Sequence, residues 1–568
     1  MVVARKLEDI ANLLELNGDN PFKIRAYRKA ASNIEGLSAD VSELVRAGEI
    51  EQIPGVGKDL AQRVSEFVTT GKISFYEELT ATTPETLLEV LQVPGLGPKK
   101  VKYLFEHLGT ADIEGLERAV GDGKLKGLPG FGDKTEKHIL EGINLVKQSR
   151  DLTLLGWAKQ LAGEIVEALK ASPGVGRIEI TGGLRRCRET VRGIYLLVST
   201  TDPELVLDHF VSLPQVGDVV TRTGTSAEIR VHEGDRVNLI TVDPESFGAA
   251  LLCHTGSPAH IAGLKSIADK HGLKIDESGL FREKDKIKLG GSEEGEIYRT
   301  LDLPLFEPEI REGTGEIEAA ISGELPELVK LSDIKGDLHT HTELSDGLHS
   351  LEEVVEYARG LGYGYIAITE HSKSLRIAGG ITEGELRSQM RKIKEMNEGL
   401  EGFRILSGIE VDILKDGSLD FPDEVLAECD VVIASVHSAF RQPREEMTAR
   451  IVKALENPHV DVFAHPTGRL LGQRDAYEVD MNALLDTASR TGTALEINAH
   501  PMRLDLDDRH SRMAREHGVK LIVNTDMHGL EEFRFMDLGI SVARRAWCSK
   551  NDILNTEDVV GLLERLHS

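Results

Sequence analysis

Four cysteines in 568 residues, none in a CxxC pair, leave little material for a disulfide framework or a thiolate metal site. Cys187, Cys253, Cys429 and Cys548 are scattered and read as free thiols of a reducing cytoplasm. No run of 18 or more apolar residues occurs, so no membrane span is expected. The opening MVVARKLEDIANLLELNGDNPF is charged from Arg5 onward and lacks the apolar core of a secretory signal, which points to a cytoplasmic protein. Positive charge is also short. Against 67 Lys and Arg stand 95 Asp and Glu, a net −28, which argues against a generic nucleic-acid binder and also suits a high-salt adaptation. The length exceeds what one hydrophobic core fills, so two to four domains are expected.

The charge is uneven. Residues 1–150 are nearly neutral, with 20 basic and 23 acidic residues, and carry the basic stretch PFKIRAYRKAA with Lys23, Arg25, Arg28 and Lys29. This first third reads as short helices broken by Gly-rich turns. One pattern recurs three times, in IPGVGKDLAQRV from Ile53, VPGLGPKKVKYL from Val93 and LPGFGDKTEKHI from Leu128. In each, paired glycines (Gly55 and Gly57, Gly95 and Gly97, Gly130 and Gly132) precede a helix start carrying Lys58, Lys99 or Lys134. Glycine allows the tight turn, and the N–H groups left free at the next helix's N-terminus bind phosphate without reading sequence. This is the helix-hairpin-helix pattern, and DNA contact is expected to begin here. The bland alternative is three ordinary helix–helix turns with Gly caps.

Residues 151–315 mix strands and helices, with RIEITGGLRR, GIYLLVST and DRVNLITV as strand candidates. Residues 316–332 are acidic and poor in aromatics, and read as a linker. From 333 to 568 short apolar strands alternate with helices: IKGDLHTHT, YGYIAITEH, FRILSGIEVDI, CDVVIASVHS, VDVFAHP, TALEINA and KLIVNTDMH. Alternation of this kind means a parallel sheet, and seven units in series suggest a barrel. The fold class is therefore multidomain α+β and α/β.

Six of those seven strands end in His, Asp or Glu, and in a barrel such ends converge on one rim. The candidates are His339, His341, Asp346, His371, Glu410, His437, His465, Asp526 and His528. The spacings His339-x-His341 and Asp526-x-His528 put each pair on one strand face. Six imidazoles and three carboxylates suit zinc, manganese or iron, and nine ligands exceed what one ion can use. Two or three divalent ions are therefore expected. Clustered ions about 3.5–4 Å apart polarise a phosphoryl oxygen and activate water, so no protein nucleophile is required. Arg469, in HPTGRLLG, is a candidate phosphate contact. The expected chemistry is hydrolysis of phosphate esters on DNA.

The motifs DLHTHTELSDG, ITEHS, GIEVDI, SVHS, AHPTGR, LEINA and NTDMH resemble the polymerase-and-histidinol-phosphatase (PHP) domain. Nearly the whole chain resembles the bacterial and archaeal family X DNA polymerases that carry this domain at the C-terminus. In this likeness PFKIRAYRKAA and the Gly turns fall in the N-terminal DNA-binding region, and SFGAALLCHTGS and LFEPEIREGTGEIEAA in the palm and thumb. The resemblance implies a distorted seven-stranded barrel. It assigns the same nine residues as ligands, and implies Mn2+- or Zn2+-dependent 3′→5′ exonuclease activity, with abasic-site or 3′-end cleaning activity in some members. Glu370 stands where the family commonly has Asp.

The polymerase part departs from the family pattern. The resemblance implies three Asp residues holding Mg2+ in the palm. Here Gly193 and Tyr195 occupy the Asp-x-Asp positions of GGLRRCRETVRGIYLLV, and Asn238 occupies the third. Gly183 replaces a triphosphate-contacting Ser, and Cys253-His254 replaces a Tyr-Phe pair. Gly offers no ligand, and Tyr and Asn are neutral, so neither Mg2+ in the palm nor template-directed synthesis is expected. Arg185 and Arg186 remain to hold phosphate or DNA. The lyase lysine position of DNA polymerase beta falls on Arg63, whose guanidinium is not an amine nucleophile, although Lys58 and Lys72 lie nearby.

The leading expectation is a monomeric DNA-repair nuclease acting on gapped, nicked or 3′-ended DNA. The alternatives are an active gap-filling polymerase with PHP proofreading, a non-catalytic DNA-binding scaffold, and a small-molecule phosphatase of the histidinol-phosphate type. The scaffold conflicts with an intact nine-ligand set, and the small-molecule phosphatase leaves the first 330 residues without purpose.

Overall fold

The computed structural model describes residues 2–35, 41–53, 55–149, 152–232 and 234–566. These form two compact units, one built on residues 1–150 and the other on the rest of the chain apart from the short segments 470–475 and 529–532. No helix among the described residues is long and apolar enough to cross a membrane.

The first unit is helical, around a core that includes Leu7, Leu14, Tyr27, Val64, Leu104 and Ile143. The three Gly turns share one geometry. Gly55, Gly95 and Gly130 all have left-handed φ, at 77°, 87° and 84°. Each turn closes with the same bond, from Val56 N to Ile53 O, Leu96 N to Val93 O, and Phe131 N to Leu128 O. Gly57 and Gly97 then cap Lys58–Thr70 and Pro98–Leu108, and Gly132 precedes Asp133–Ser149. An L side chain at the first glycine would be strained in all three, so the repeat seen in sequence is a repeated backbone device. Pro54 of the first copy and the side chain of Lys134 lie outside the described residues.

The second unit joins two bodies. Its palm is a five-stranded sheet in which Ile178–Ile180 lies antiparallel to Ile194–Ser199, and Ile194–Ser199 parallel to Arg236–Val242. Ser226–Val231 and Val216–Arg222 follow antiparallel. The barrel strands Gly336–Asp337, Tyr365–Ile368, Arg404–Asp412, Val431–Ser435, Val462–Phe463, Ala494–Asn498 and Leu521–Asn524 are all parallel and pair in sequence order. A bridge between Thr340 and Met527 links the ends of the first and last strands. Strands such as YIAI, VVIAS and LIVN are buried at every residue, as expected where helices cover a parallel sheet. Capping boxes at Ser350/Glu353 and Thr382/Glu385 start the helices after the first and second strands.

The acidic stretch expected to be a linker is structured. Residues 316–322 form a helix, and Ile317 and Leu328 are buried in the thumb cluster with Leu264, Tyr298 and Trp547. The Glu316 carboxylate accepts from Gly313 N and Thr314 N, both at 2.7 Å, and lies 2.6 Å from His260 Nδ1. Acidity here marks a helix N-terminus, where free N–H groups favour carboxylates, and not a solvated tether.

Asp461, leading into the fifth barrel strand, accepts the N–H of Val432 at 2.8 Å, and burial raises its carboxyl to about 7. The folded state then holds a proton that the unfolded chain releases near pH 4. Stability from this group is full below pH 4 and falls as pH rises towards 7. Asp461→Asn, which keeps the acceptor, is expected to gain about 2 kcal/mol on the native protein at pH 8 and nothing at pH 4. Denaturant midpoints of both proteins at the two pH values check this.

Candidate metal centre

The nine ligand positions converge on the C-terminal rim of the barrel. His339 and His341 follow the first strand with ring centroids 5.2 Å apart. Glu410 lies inside the third strand, so its side chain reaches the middle of the cluster. Its carboxylate lies 2.7 Å from His371 Nδ1, 3.1 Å from His465 Nε2, 3.3 Å from His437 Nε2 and 3.4 Å from His339 Nε2. Asp526 Oδ1 lies 3.2 Å from His341 Nε2 and 3.3 Å from His339 Nε2. Asp346 Oδ1 lies 3.2 Å from His528 Nε2 and 3.5 Å from His371 Nε2. Two ligands, His465 (φ 31°) and Asp526 (φ 56°), sit in left-handed backbone that only a tightly determined site sustains.

These contacts resolve into three overlapping ligand groups: His341, Asp346, His371 and His528; His339, His341 and Asp526; and His371, Glu410 and His437. His465 adjoins the third through Glu410. His339 Nε2 and Glu410 Oε2 are buried without a hydrogen-bond partner, although each has polar neighbours close by. Converging N and O lone pairs of this kind suit divalent cations, and the mixed donors fit the expected group.

The electrostatics agree. Burial raises the Glu410 carboxyl, but the imidazoles of His437, His371 and His339 outweigh it and hold the group well below the usual carboxylate range. Asp526 is held low in the same way, burial being overcome by His339, His341 and Arg503. Burial pushes His341 down to about 3, helped by its His371 and His528 neighbours, and pushes His465 down to about 4. Neutral imidazole is the form that binds metal.

A supporting set escaped the sequence reading. Glu496 Oε1 lies 2.8 Å from His339 Nδ1, and its other oxygen accepts the N–H of His465 at 2.8 Å. Asp412 Oδ1 lies 2.6 Å from His437 Nδ1. Carboxylates on the outer ring nitrogen turn Nε2 inward and raise its basicity. Glu496 belongs to LEINA, the one barrel strand left without an assigned ligand, and a carboxylate in that strand was the available signal.

Arg469 is not where a free phosphate fork is needed. Its guanidinium is 12% exposed and bonded to Glu189 and to the carbonyls of Arg503 and Leu504. The arginine at the rim is Arg503, whose Nε is 3.5 Å from Asp526 Oδ2.

In the palm, Tyr195 and Asn238 are direct partners on parallel strands, and Glu228 lies across from Asn238 on the next strand. Gly193 (φ 154°) precedes the strand, beside the Arg236 carbonyl and the Tyr195 ring. Gly183 lies in the short helix Gly182–Arg185. Glu228 is 3.4 Å from Arg236. Among the described residues, all groups of three or more His, Cys, Asp or Glu placed to share an ion lie in the barrel. Arg185 is paired with Glu294, and Arg186 donates to Glu312 and to the Thr255 carbonyl, so neither is free for phosphate.

In the first unit, Lys58 and Lys99 are exposed at their helix starts. Arg25 is exposed beside Phe22. Arg28 is instead bonded to Glu8, Asn12 and Glu15, and Lys23 to Asp19. Both are drawn into their own helix pair by acidic neighbours that a local count of basic residues overlooks. Arg63 donates to Asp59 and stacks 3.9 Å from the Phe75 ring centroid.

Such a rim defines a metal-binding phosphoesterase barrel, here joined to a polymerase-beta-like body and a helix-hairpin-helix unit. Family models agree along the chain: a helix-hairpin-helix domain matches residues 2–73, a SAM-like helix-hairpin-helix tandem 87–144, a DNA polymerase beta thumb 250–312 and a PHP domain 337–500. The chain is 40% identical over 569 residues to the DNA polymerase/3′-5′ exonuclease PolX of Bacillus subtilis (strain 168), covering 99% of each. It belongs to the family X DNA polymerases with a C-terminal PHP domain. The barrel region is also 30% identical over 234 residues to a probable phosphatase of Thermoanaerobacter sp. (strain X514), covering 39% of this chain and 90% of that one. A probable phosphatase of Acetivibrio thermocellus is 32% identical over 202 residues, covering 34% and 78%.

Proposed function

We propose that this protein is a DNA-repair phosphodiesterase that removes nucleotides from 3′ ends through its barrel, with template-directed synthesis lost. The observation that carries the reading is the clustered rim, three groups built on the carboxylates Asp346, Asp526 and Glu410 and linked through His341 and His371. The PolX relative supports the choice of DNA as substrate. His339, His341, Asp346, His371, Glu410, His437, His465, Asp526 and His528 would hold two or three Mn2+ or Zn2+ ions. Divalent ions bound there polarise the scissile phosphate and activate water for attack.

The chain's own residues do the rest. Glu496 and Asp412 orient the ligand imidazoles, and Arg503 offers the guanidinium that meets a non-bridging phosphate oxygen beside Asp526. The repeated Gly turns, with Lys58, Lys99 and Lys134 at the helix starts they lead into, grip the phosphate backbone of gapped, nicked or 3′-ended duplexes. The probable phosphatases that match the barrel support a second reading for the same site, removal of a 3′-terminal phosphate. Both readings place the protein in the cytoplasm, working as a monomer.

The test is a 3′-end assay with Mn2+ and a primer–template, run with and without nucleotides and on a 3′-phosphorylated primer. Shortening or phosphate release in both settings supports the reading, and a primer that gains nucleotides refutes the loss of synthesis. Arg503→Ala is expected to lower kcat/KM by about 30- to 100-fold, the scale of one charge-assisted contact. Steady-state rates on 3′-labelled DNA, with Arg503→Lys recovering part of the loss, check that.

A further inference from the structure

The palm reaches into the barrel site through one carboxylate. Glu189 lies between the short helix Gly182–Arg185 and the strand Thr190–Val191, and its backbone carbonyl is fixed by Leu155 N at 2.9 Å. Its side chain receives Arg469 Nη2 at 2.6 Å and Nη1 at 3.3 Å. Arg469 in turn donates Nε to the Arg503 carbonyl at 2.9 Å and Nη2 to the Leu504 carbonyl. One guanidinium therefore ties the loop after ligand His465 to the segment that presents Arg503 to ligand Asp526.

That segment needs holding. Leu504 sits at φ 41°, which an L residue adopts only under constraint. Asp505 accepts the Thr467 N–H at 3.0 Å, a second tie between the same two loops. Two other carboxylates face Arg469: Asp507, 3.8 Å away, and Asp505, whose oxygens already accept the Thr467 N–H. Glu189 is thus the close counter-charge of a guanidinium that is 12% exposed, and it comes from a different body of the fold.

Resting on the phosphodiesterase reading, we propose that Glu189, a palm residue, is a positioning residue for the barrel reaction, acting through Arg469 to set Arg503 against the substrate phosphate. It touches neither substrate nor metal. The palm of this chain then serves as a strut for the nuclease site.

The experiment uses the full chain with Mn2+ and a 3′-labelled single-stranded oligonucleotide. It measures kcat and KM for the native protein, Glu189→Gln, Glu189→Asp, Arg503→Ala and the Glu189→Gln/Arg503→Ala double variant. Glu189→Gln is expected to raise KM about 5- to 20-fold with kcat within about threefold, and Glu189→Asp to restore most of the loss. In the Arg503→Ala background Glu189→Gln is expected to add less than twofold, because its effect passes through Arg503. An unchanged KM in Glu189→Gln, or effects that simply multiply in the double variant, overturns the proposal while leaving the phosphodiesterase reading intact. A native protein that shortens no DNA overturns both. Glu189→Gln keeps the side-chain shape, and a melting temperature within about 2 °C of native excludes a general loss of fold as the cause.

Discussion

Glu410→Gln is expected to reduce hydrolysis of DNA by about two to three orders of magnitude while DNA binding stays within about twofold of native, the loss expected when a preorganised charged contact is removed from a reacting centre. The carboxylate is fully buried and lies within 3.4 Å of four imidazoles. It is the charge that holds His371 above its ordinary value against burial, and it helps to do the same for His339. With a neutral amide in its place, the imidazoles lose their common anion, and the group of His371, Glu410 and His437 loses its carboxylate. Bound metal, measured by elemental analysis after purification without added metal, is expected to fall along with activity. The helix-hairpin-helix unit is a separate compact body, so a gel-shift with nicked duplex reports binding independently. A variant that cuts DNA at the native rate sinks the assignment of the rim.

How far this was legible in the sequence depends on which physical signal each feature leaves. The seven barrel strands have mostly apolar stretches, and the helices between them carry capping signals, so both the alternation and the rim positions could be read directly. Most of the nine candidate positions follow the end of a buried strand, with Glu410 inside one and Asp346 in the loop after another, and the structure brings them together. Features without periodicity did not show. The strand Val216–Arg222 is exposed at six of its seven residues and has no apolar face to betray it. Glu496 and Asp412 act by holding other side chains, a role that leaves no spacing rule. Arg469, Arg28 and Arg186 were legible as charges but not as charges already paired, because their partners Glu189, Glu8 and Glu312 are distant in sequence. The acidic stretch 316–332 is a related case: composition reported its acidic residues, while the use of Glu316 at a helix start and against His260 depended on tertiary contact.

Primer extension is the sharpest test of the palm. With Mg2+, a gapped duplex and all four nucleotides, the native protein is expected to add nothing. Losing three anionic ligands at about 2 kcal/mol each amounts to a factor on the order of 10⁴ or more in rate. On the proposed reading the row that would hold the ions is built on Tyr195 and Asn238, with Gly193 two residues before Tyr195. Glu228, the nearest carboxylate along it, faces Arg236 at 3.4 Å. Restoring charge alone is not expected to restore synthesis. Gly193→Asp, Tyr195→Asp and Asn238→Asp together rebuild the cage, but Arg186, a side chain otherwise suited to a nucleotide triphosphate, is only 8% exposed. Its Nε is bonded to Glu312, which also takes Arg545 from the barrel side, and its Nη1 to the Thr255 carbonyl. Freeing it breaks a buried ionic network and leaves Glu312 with one of its two close cations, which costs about 3–5 kcal/mol. The triple variant is therefore expected to bind Mg2+ in the palm, detectable by paramagnetic broadening with Mn2+ as substitute, yet to extend primers no better than the native chain. Extension by the native protein refutes the loss of synthesis, and extension by the triple variant alone shows that the carboxylates were all that was missing.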